Sequence, residues 1–335
     1  MPINEYQRIL KTVKDRDLKP VYFLSGPEAY FIDIISNYIE KNVLDEGEKA
    51  FNQTVVYGKD LEWDNLVETL KRFPMMASHQ VVILKEAQTV NHLKEKLTEY
   101  LKNPVDTSIL VVCFKYKTTT DKKFVSLLQS KGIYFVSKEL REDKVPGWIV
   151  EYLRRHGYKI TQKASYLLTE YLGNDLTKIA NELEKLTLIL EQGTEVNTDT
   201  IEKNIGISKD YNAFELVNAL AAKNQVKAYR IVNYFASNSK QHPLPLTIGS
   251  LFNYFSKVLG YHYLKDKNPK VAASKLRIPP FFVQDYITGA RNYSPVKCTH
   301  IIRDIRECDN KSKGIENPST PWGELLKELV FKILN

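Results

Sequence analysis

Val81-Val82-Ile83-Leu84 is an unbroken apolar run between Gln80 and Lys85, and it constrains the fold of this chain more than any other stretch. A run without polar alternation belongs to a strand buried on both faces, which happens where helices cover both sides of a parallel sheet. Similar runs recur before it and after it. Strands are expected at Val21 to Leu24, Thr54 to Tyr57, Gln80 to Leu84, Ser108 to Phe114 and Ile133 to Val136. Amphipathic stretches at Ala29 to Val43, Trp63 to Arg72, His92 to Lys102 and Lys122 to Gln129 are expected to be the intervening helices. The alternation predicts an α/β domain.

From about Lys144 the strand signal stops, and apolar residues recur at three- and four-residue spacing, so everything beyond is expected to be helical. Three helices are expected at Val145 to Arg155, Lys163 to Leu172 and Asp175 to Leu190, separated by Gly157 and Gly173-Asn174, which suit helix ends. A polar stretch carries Thr198 to Ile205, and Gly206 to Asn212 reads as a linker. A second helical block then predicts helices at Phe214 to Lys223, Lys227 to Ser237, Leu246 to Leu264, Pro279 to Ala290, Pro295 to Cys308 and Trp322 to Leu334. A chain of 335 residues can bury a separate core in each of these parts. The fold class is therefore α/β plus all-α, in three domains: 1–142, 143–211 and 212–335.

Charge is divided unevenly between these parts. Residues 1–211 hold 30 Lys and Arg against 31 Asp and Glu, whereas residues 212–335 hold 18 against 9, a net +9. A basic domain joined to neutral ones points to a polyanion near it, although a solvated basic surface gives the same count. Aromatic residues are dense there: Tyr254, Phe255, Tyr261, Tyr263, Phe281, Phe282, Tyr286, Tyr293 and Trp322. Helical spacing assigns most of them to the core. Lys311 and Lys313 are expected in an exposed polar loop suited to phosphate contact, and are the candidate DNA-facing pair.

Cys113, Cys298 and Cys308 are too few and too scattered for a disulfide framework and are expected to be reduced thiols, Cys113 in the core. The six His residues lack metal-ligand spacing, so no metal site is expected. No run approaches the length of a membrane span, and polar Asn4, Glu5, Gln7 and Arg8 stand where a signal peptide would be apolar. The expected location is the cytoplasm.

The first strand runs into Ser25-Gly26-Pro27-Glu28-Ala29-Tyr30-Phe31 and a helix, where a P-loop enzyme carries G-x-x-x-x-G-K-[ST]. Counted from Gly26, Phe31 stands in place of the second Gly, Ile32 in place of the phosphate-neutralising Lys, and Asp33 in place of the Mg²⁺-binding hydroxyl. The third strand ends Leu84-Lys85-Glu86, so Lys85 puts a cation where an active ATPase holds its metal-binding Asp. Gly26, Phe31, Ile32, Asp33, Lys85 and Glu86 together describe a dismantled nucleotide site. A fold that never belonged to the ATPase type stays open on these residues alone.

Several segments, in order along the chain, resemble the bacterial DNA polymerase III clamp-loader delta subunits. Pro20 to Tyr30 is similar to that family's strand-plus-G-x-[DE] opening, and Phe73 to Leu84 to the stretch in which an apolar pair precedes a small residue, a Ser and the next strand. Gly173-Asn174-Asp175-Leu176, continued through Ile179 and Asn181 to Leu186, matches its middle-domain signature, and Gly206-Ile207-Ser208 with Tyr211 to Leu216 resembles the junction into its third domain. The resemblance implies a degenerate AAA+ (P-loop-like) domain, a three-helix lid-like domain and a helical collar. It implies a protein that binds and opens the sliding clamp (beta subunit) for loading onto primed DNA, without hydrolysing ATP itself and without a cofactor. The implied partners are the clamp, the tau/gamma and delta prime subunits, and primer-template DNA, all within the polymerase holoenzyme, a nucleotidyltransferase complex.

Within this resemblance Met75 and Met76 take the clamp-binding positions, with Phe73 able to share the role. A flexible apolar plug filling a pocket is chemistry that Met does well. The family's pair is commonly bulkier, and packing of these Met residues under the sheet is the alternative. Two other functions compete with the resemblance: an active P-loop ATPase or helicase loader, opposed by Phe31, Ile32, Asp33 and Lys85, and a free-standing nucleic-acid-binding protein, supported only by the basic last third.

Overall fold

The computed structural model describes residues 2–208, 210–240, 242–315 and 319–335, the side chains of residues 2–4 and 281 excepted, so the side chain of Phe281 lies outside the described residues. The chain divides into two compact units, Met1–Leu140 and Arg141–Asn335.

The first unit runs α1 (Pro2–Lys14), β1 (Val21–Gly26), α2 (Ala29–Asn42), α3 (Glu46–Asn52), β2 (Gln53–Tyr57), α4 (Trp63–Lys71), β3 (Gln80–Lys85), α5 (Leu93–Lys102), β4 (Ser108–Lys115), α6 (Lys122–Lys131) and β5 (Ile133–Val136). Its five strands are all parallel in the order β2-β3-β4-β1-β5. Strand β1 pairs on both edges, with Leu24 opposite Cys113 of β4 and Phe135 of β5. Because helices cover both faces, Val81 to Leu84 and Ile109 to Val112 are completely buried, as their unbroken apolar character requires. On one face Phe23, Val82, Leu110 and Val112 pack against Leu66 and Leu70 of α4, Leu97 and Leu101 of α5, and Phe124 and Leu128 of α6.

Every expected strand and helix of this unit is present to within two residues at either end. Two further helices go beyond the expectation. Tyr6, Ile9 and Val13 recur at helical spacing and are buried, which makes α1 an amphipathic helix rather than a polar leader into β1. Helix α3 is seven residues long, started by a capping box in which Asp45 and Glu48 bond reciprocally.

The second unit runs α7 (Val145–Arg155), β6 (Lys159–Ile160), α8 (Gln162–Leu172), α9 (Leu176–Ile189), β7 (Glu195–Val196), α10 (Thr198–Ile205), α11 (Ala213–Ala221), α12 (Gln225–Ser237), α13 (Leu244–His262), α14 (Pro269–Leu276), α15 (Val283–Asn292), α16 (Pro295–Ser312) and α17 (Trp322–Leu334). The expectation that everything beyond Lys144 is helical is corrected by β6 and β7, a two-residue parallel pair. Strands this short leave no periodicity in a sequence. The expected helix from Pro279 is also divided: Pro280–Phe282 forms a 3-10 turn and α15 starts at Val283, because Pro280 supplies no N–H and restricts the residue before it. Helix α14, capped by Asn268 and opened by Pro269, is a further addition to the expected set.

Another correction concerns Lys311. Helix α16 continues to Ser312, so Lys311 lies in its last turn rather than in a loop, 2.8 Å from Glu307 and 3.9 Å from Glu328. Lys313 caps the helix and lies 2.5 Å from Asp309. The aromatic residues behave largely as core: Tyr254, Phe255, Tyr261, Phe282 and Tyr293 are buried, and the Tyr293 hydroxyl donates to the Leu220 carbonyl at 2.7 Å. Tyr263 is the exception, 75% exposed. Cys113, Cys298 and Cys308 are buried free thiols. No helix among the described residues is long and apolar enough to cross a membrane.

Where α8 meets α11, α12 and α13, two carboxylates respond oppositely to burial. Burial pushes the Glu215 carboxyl up, but Lys227 at 2.5 Å and Lys163 at 3.0 Å outweigh it and hold it below its usual range. Among the described residues Glu170 has no cation partner, and burial pushes it up to about 7 against the weaker pull of the Ser250 hydroxyl and the Phe214 backbone. The consequences fall in separate pH windows. The stabilisation from Glu215 is complete above pH 4.5, the ordinary value for this carboxyl, and is lost as pH falls through its depressed folded value. That from Glu170 is complete below pH 4.5 and is lost as pH rises through about 7. Chemical denaturation across pH 3 to 8, on the order of one unit per step, is therefore expected to show Glu170→Gln flattening the loss of stability near neutrality. Glu215→Gln is expected to cost about 2 kcal/mol at neutral pH, the range for hydrogen bonds to charged groups, and progressively less in acid.

Candidate functional site

Two features of the first unit carry chemistry: the turn after β1, and the loop between α4 and β3. At the first, Gly26 adopts φ +132, and a Cβ there would stand 2.0 Å from the Ser137 carbonyl oxygen, so only glycine fits. Its N–H donates to the Lys117 carbonyl at 2.8 Å, and its own carbonyl accepts from the Tyr116 N–H at 2.8 Å. The donor that a phosphate-binding turn would offer is already used. Glu28 stands at the N-terminus of α2 with its buried carboxylate accepting from the Tyr30 N–H at 2.9 Å, occupying the end of the helix where an anion would bind.

The sequence positions of the dismantled site have these places. Phe31 and Ile32 are completely buried, and the Phe31 ring lies 4.8 Å from Tyr6 of α1, so α1 covers the helix that would otherwise present a lysine. Asp33 pairs with Lys115, whose Nζ lies 2.6 and 2.8 Å from the two carboxylate oxygens. Lys85 pairs with Glu40 of α2 at 3.1 Å. Glu86 follows β3 in the left-handed region and is half-buried, with its carbonyl accepting from Thr89. Asp33 with Lys115 and Lys85 with Glu40 thus satisfy one another at this end of the sheet. Burial also pushes the Cys113 thiol up to about 11, which leaves it protonated and unreactive.

The second feature begins where α4 ends. Its last carbonyls are capped from the sheet: the Gln80 amide donates to Thr69 and Arg72 at 2.8 Å each, and the Ser108 hydroxyl donates to Leu70 at 2.6 Å. Pro74 prevents continuation. The chain emerges with Phe73 86% exposed, Met75 60% exposed and Met76 fully exposed, so neither methionine packs under the sheet. The loop is nonetheless fixed. Buried Asn52, at the end of α3, accepts from the Met75 N–H at 2.7 Å and donates to the Met75 carbonyl at 2.8 Å. Met76 follows at φ +55, a conformation that costs a non-glycine residue roughly 1 kcal/mol or more and persists only where neighbours impose it. Three large apolar side chains are therefore held in water on an ordered backbone, an arrangement suited to filling a partner's pocket.

Sequence reading brings Phe73, Met75 and Met76 together but misses Asn52, Gln80 and Ser108, which hold them. Nothing local marks Asn52, since its bonds reach 23 residues along the chain. Lys311 and Lys313 lie in the second unit, both ion-paired. Among the described residues no group of His, Cys, Asp and Glu is arranged to hold a metal ion.

Comparison with known proteins gives consistent matches. The family model described as DNA polymerase III, delta subunit, matches residues 22–138, and that described as DNA polymerase III delta subunit, C-terminal domain, matches residues 210–326. The DNA polymerase III subunit delta of Bacillus subtilis is 24% identical over 318 residues, covering 91% of each chain. The probable DNA polymerase III subunit delta of Aquifex aeolicus is 23% identical over 262 residues, covering 74% of this chain and 72% of that one. The structure of the Bacillus subtilis DNA clamp loader delta protein superposes with a TM-score of 0.55 at 22% identity, covering 98% of this chain and 99% of that one, and so shares its fold.

The geometry around Asn52 generates a direct expectation. Asn52→Ala removes two bonds to Met75, each worth about 1 kcal/mol, and a third to the Glu48 carbonyl. Stability is expected to fall by about 2 kcal/mol. Hydrogen exchange at the Met75 amide is expected to accelerate while amides of β1 and β4 stay protected, which mass spectrometry of peptic fragments measures.

Proposed function

We propose, from the premise that this chain belongs to the DNA polymerase III delta-subunit family, that it binds the sliding clamp through Phe73, Met75 and Met76 and opens it for loading onto primed DNA. The carrying observation is the ordered loop on which these three side chains stand exposed. Apolar groups presented on a fixed backbone bind without the cost of ordering a loop, and Met adapts its shape to a pocket. The chain acts as the clamp-loader delta subunit in a complex with other subunits, which we take to be tau/gamma and delta prime, in the cytoplasm. Within it, residues 1–142 form the clamp-binding AAA+-like domain, 143–211 the lid-like domain and 212–335 the collar.

The same reading assigns ATP hydrolysis to partner subunits. Its support is the internal pairing of Asp33 with Lys115 and of Lys85 with Glu40, the Gly26 N–H committed to Lys117, and Glu28 at the helix end. A triphosphate would have to displace a carboxylate, and would meet Lys115 and Lys85 already paired with Asp33 and Glu40. Lys311 and Lys313 add less phosphate attraction than exposed, unpaired lysines would, since each already faces a carboxylate.

Two measurements test this function. Met75→Ser with Met76→Ser is expected to weaken clamp binding by roughly two or more orders of magnitude, at ~2 kcal/mol or more per anchor, with the melting temperature little changed because neither side chain is buried. Intact clamp binding in the folded double variant would remove the loop from the interface. For the nucleotide, equilibrium binding of labelled ATP to the purified chain is expected to detect no Mg²⁺-dependent site, and micromolar binding abolished by mutation of Gly26 would overturn the assignment.

A further inference from the structure

We propose that the corner formed by the end of α13, the loop after it and α14, residues 263–277, is a binding surface for single-stranded nucleic acid, separate from the clamp-binding loop. This stretch holds Lys265, Lys267, Lys270, Lys275 and Arg277 against one acid, Asp266. All five cations are exposed, and none of them forms an ion pair among the described residues. Several lysines elsewhere in the same unit stand beside carboxylates: Lys311 with Glu307, Lys313 with Asp309, Lys327 with Glu324 and Lys332 with Glu328. Of the net +9 of residues 212–335, this stretch of fifteen residues carries +4.

A cluster of like charges carries a self-repulsion that a bound polyanion relieves. The corner is also packed onto its own small core. Ala272, Ala273 and Leu276 turn inward onto Tyr261, Ile278 and Val283, which leaves Lys270, Ser274 and Lys275 on the outer face of α14. Lys267 lies 5.7 Å from the centre of the Tyr261 ring. Among these cations stands Tyr263, 75% exposed, although Tyr254, Phe255 and Tyr261 of the helix before it are buried. An exposed aromatic face beside unpaired cations is the combination that single strands use, the bases stacking while the phosphates meet lysines. The choice of nucleic acid among polyanions rests on the role in DNA replication, and the surface is otherwise independent of the clamp reading.

The test is fluorescence anisotropy of the full chain with a labelled oligothymidylate of about 20 nucleotides, at salt between about 50 and 200 mM. Lys265→Gln, Lys267→Gln and Lys270→Gln together are expected to lower affinity about tenfold or more and to make the log–log salt dependence shallower by about 2, at about 0.7 for each phosphate no longer neutralised. A control triple, Lys311→Gln, Lys313→Gln and Lys332→Gln, removes the same charge from paired positions and is expected to change affinity less than about twofold. Tyr263→Ala is expected to cost about fivefold with an unchanged slope, and the three-lysine variant remade with Arg is expected to retain binding. Equal losses in the two triple variants would assign binding to diffuse net charge and overturn the site. So would a Tyr263→Ala variant with full affinity, or wild-type binding to anionic vesicles without binding to the oligonucleotide. Clamp affinity, measured on the same variants, is expected to stay at the wild-type level, so failure here is distinguishable from failure of the clamp reading.

Discussion

Strand β1 is the element on which the first unit depends. It is paired on both edges, buried on both faces, and leaves the sheet at Gly26 where a single added carbon would strike the backbone of Ser137. A strand so placed has no freedom in register or exit direction. The turn after it, the start of α2 and the ends of β4 and β5 are consequently fixed relative to one another. In a parallel sheet this is the edge at which ligands bind, outside the carboxyl ends of the strands. Here the edge is closed from within, by the Gly26 bonds to residues 116 and 117 and by Glu28 on the helix end.

Closure of that edge and exposure of the α4–β3 loop follow the same rule for polar groups. Buried or half-buried charges need partners, and Asp33 with Lys115 and Lys85 with Glu40 provide them without any ligand. Helix carbonyls need donors, and Gln80 and Ser108 supply them to the end of α4. Satisfying those carbonyls stops the helix and turns Phe73, Met75 and Met76 outward, while Asn52 keeps their backbone in place. An apolar surface in water is unfavourable by itself and becomes useful when a partner covers it.

In the second unit the arrangement of charge carries more information than its total. Lys311, Lys313, Lys327 and Lys332, on or at the ends of α16 and α17, are matched to carboxylates three or four residues away, so most of their field is neutralised locally. The cations from Lys265 to Arg277 have no such partners among the described residues, and they stand against a single acid in that stretch, Asp266. The joint of α8 with α11 to α13 shows the complementary case, with Glu215 neutralised by two lysines and Glu170 pushed up to about 7 by burial.

Much of this is legible in the sequence. Continuous apolar runs mark the strands of the parallel sheet, three- and four-residue spacing marks most helices, and Gly26 through Asp33 with Lys85 already show the absence of phosphate-handling groups, because each of these is a local pattern. Phe73, Met75 and Met76 are legible through resemblance, since their neighbours in sequence carry it. The short β6–β7 pair, the extension of α16 through Lys311 and the clamp of Asn52 on Met75 are not. A two-residue strand has no period, a helix end depends on what packs beside it, and a hydrogen bond across 23 residues exists only once β2 and β3 are aligned. The sequence determined which residues are apolar, charged or unable to continue a helix; the tertiary structure decided which of them found partners, because pairing and burial are properties of distance in space rather than of position along the chain.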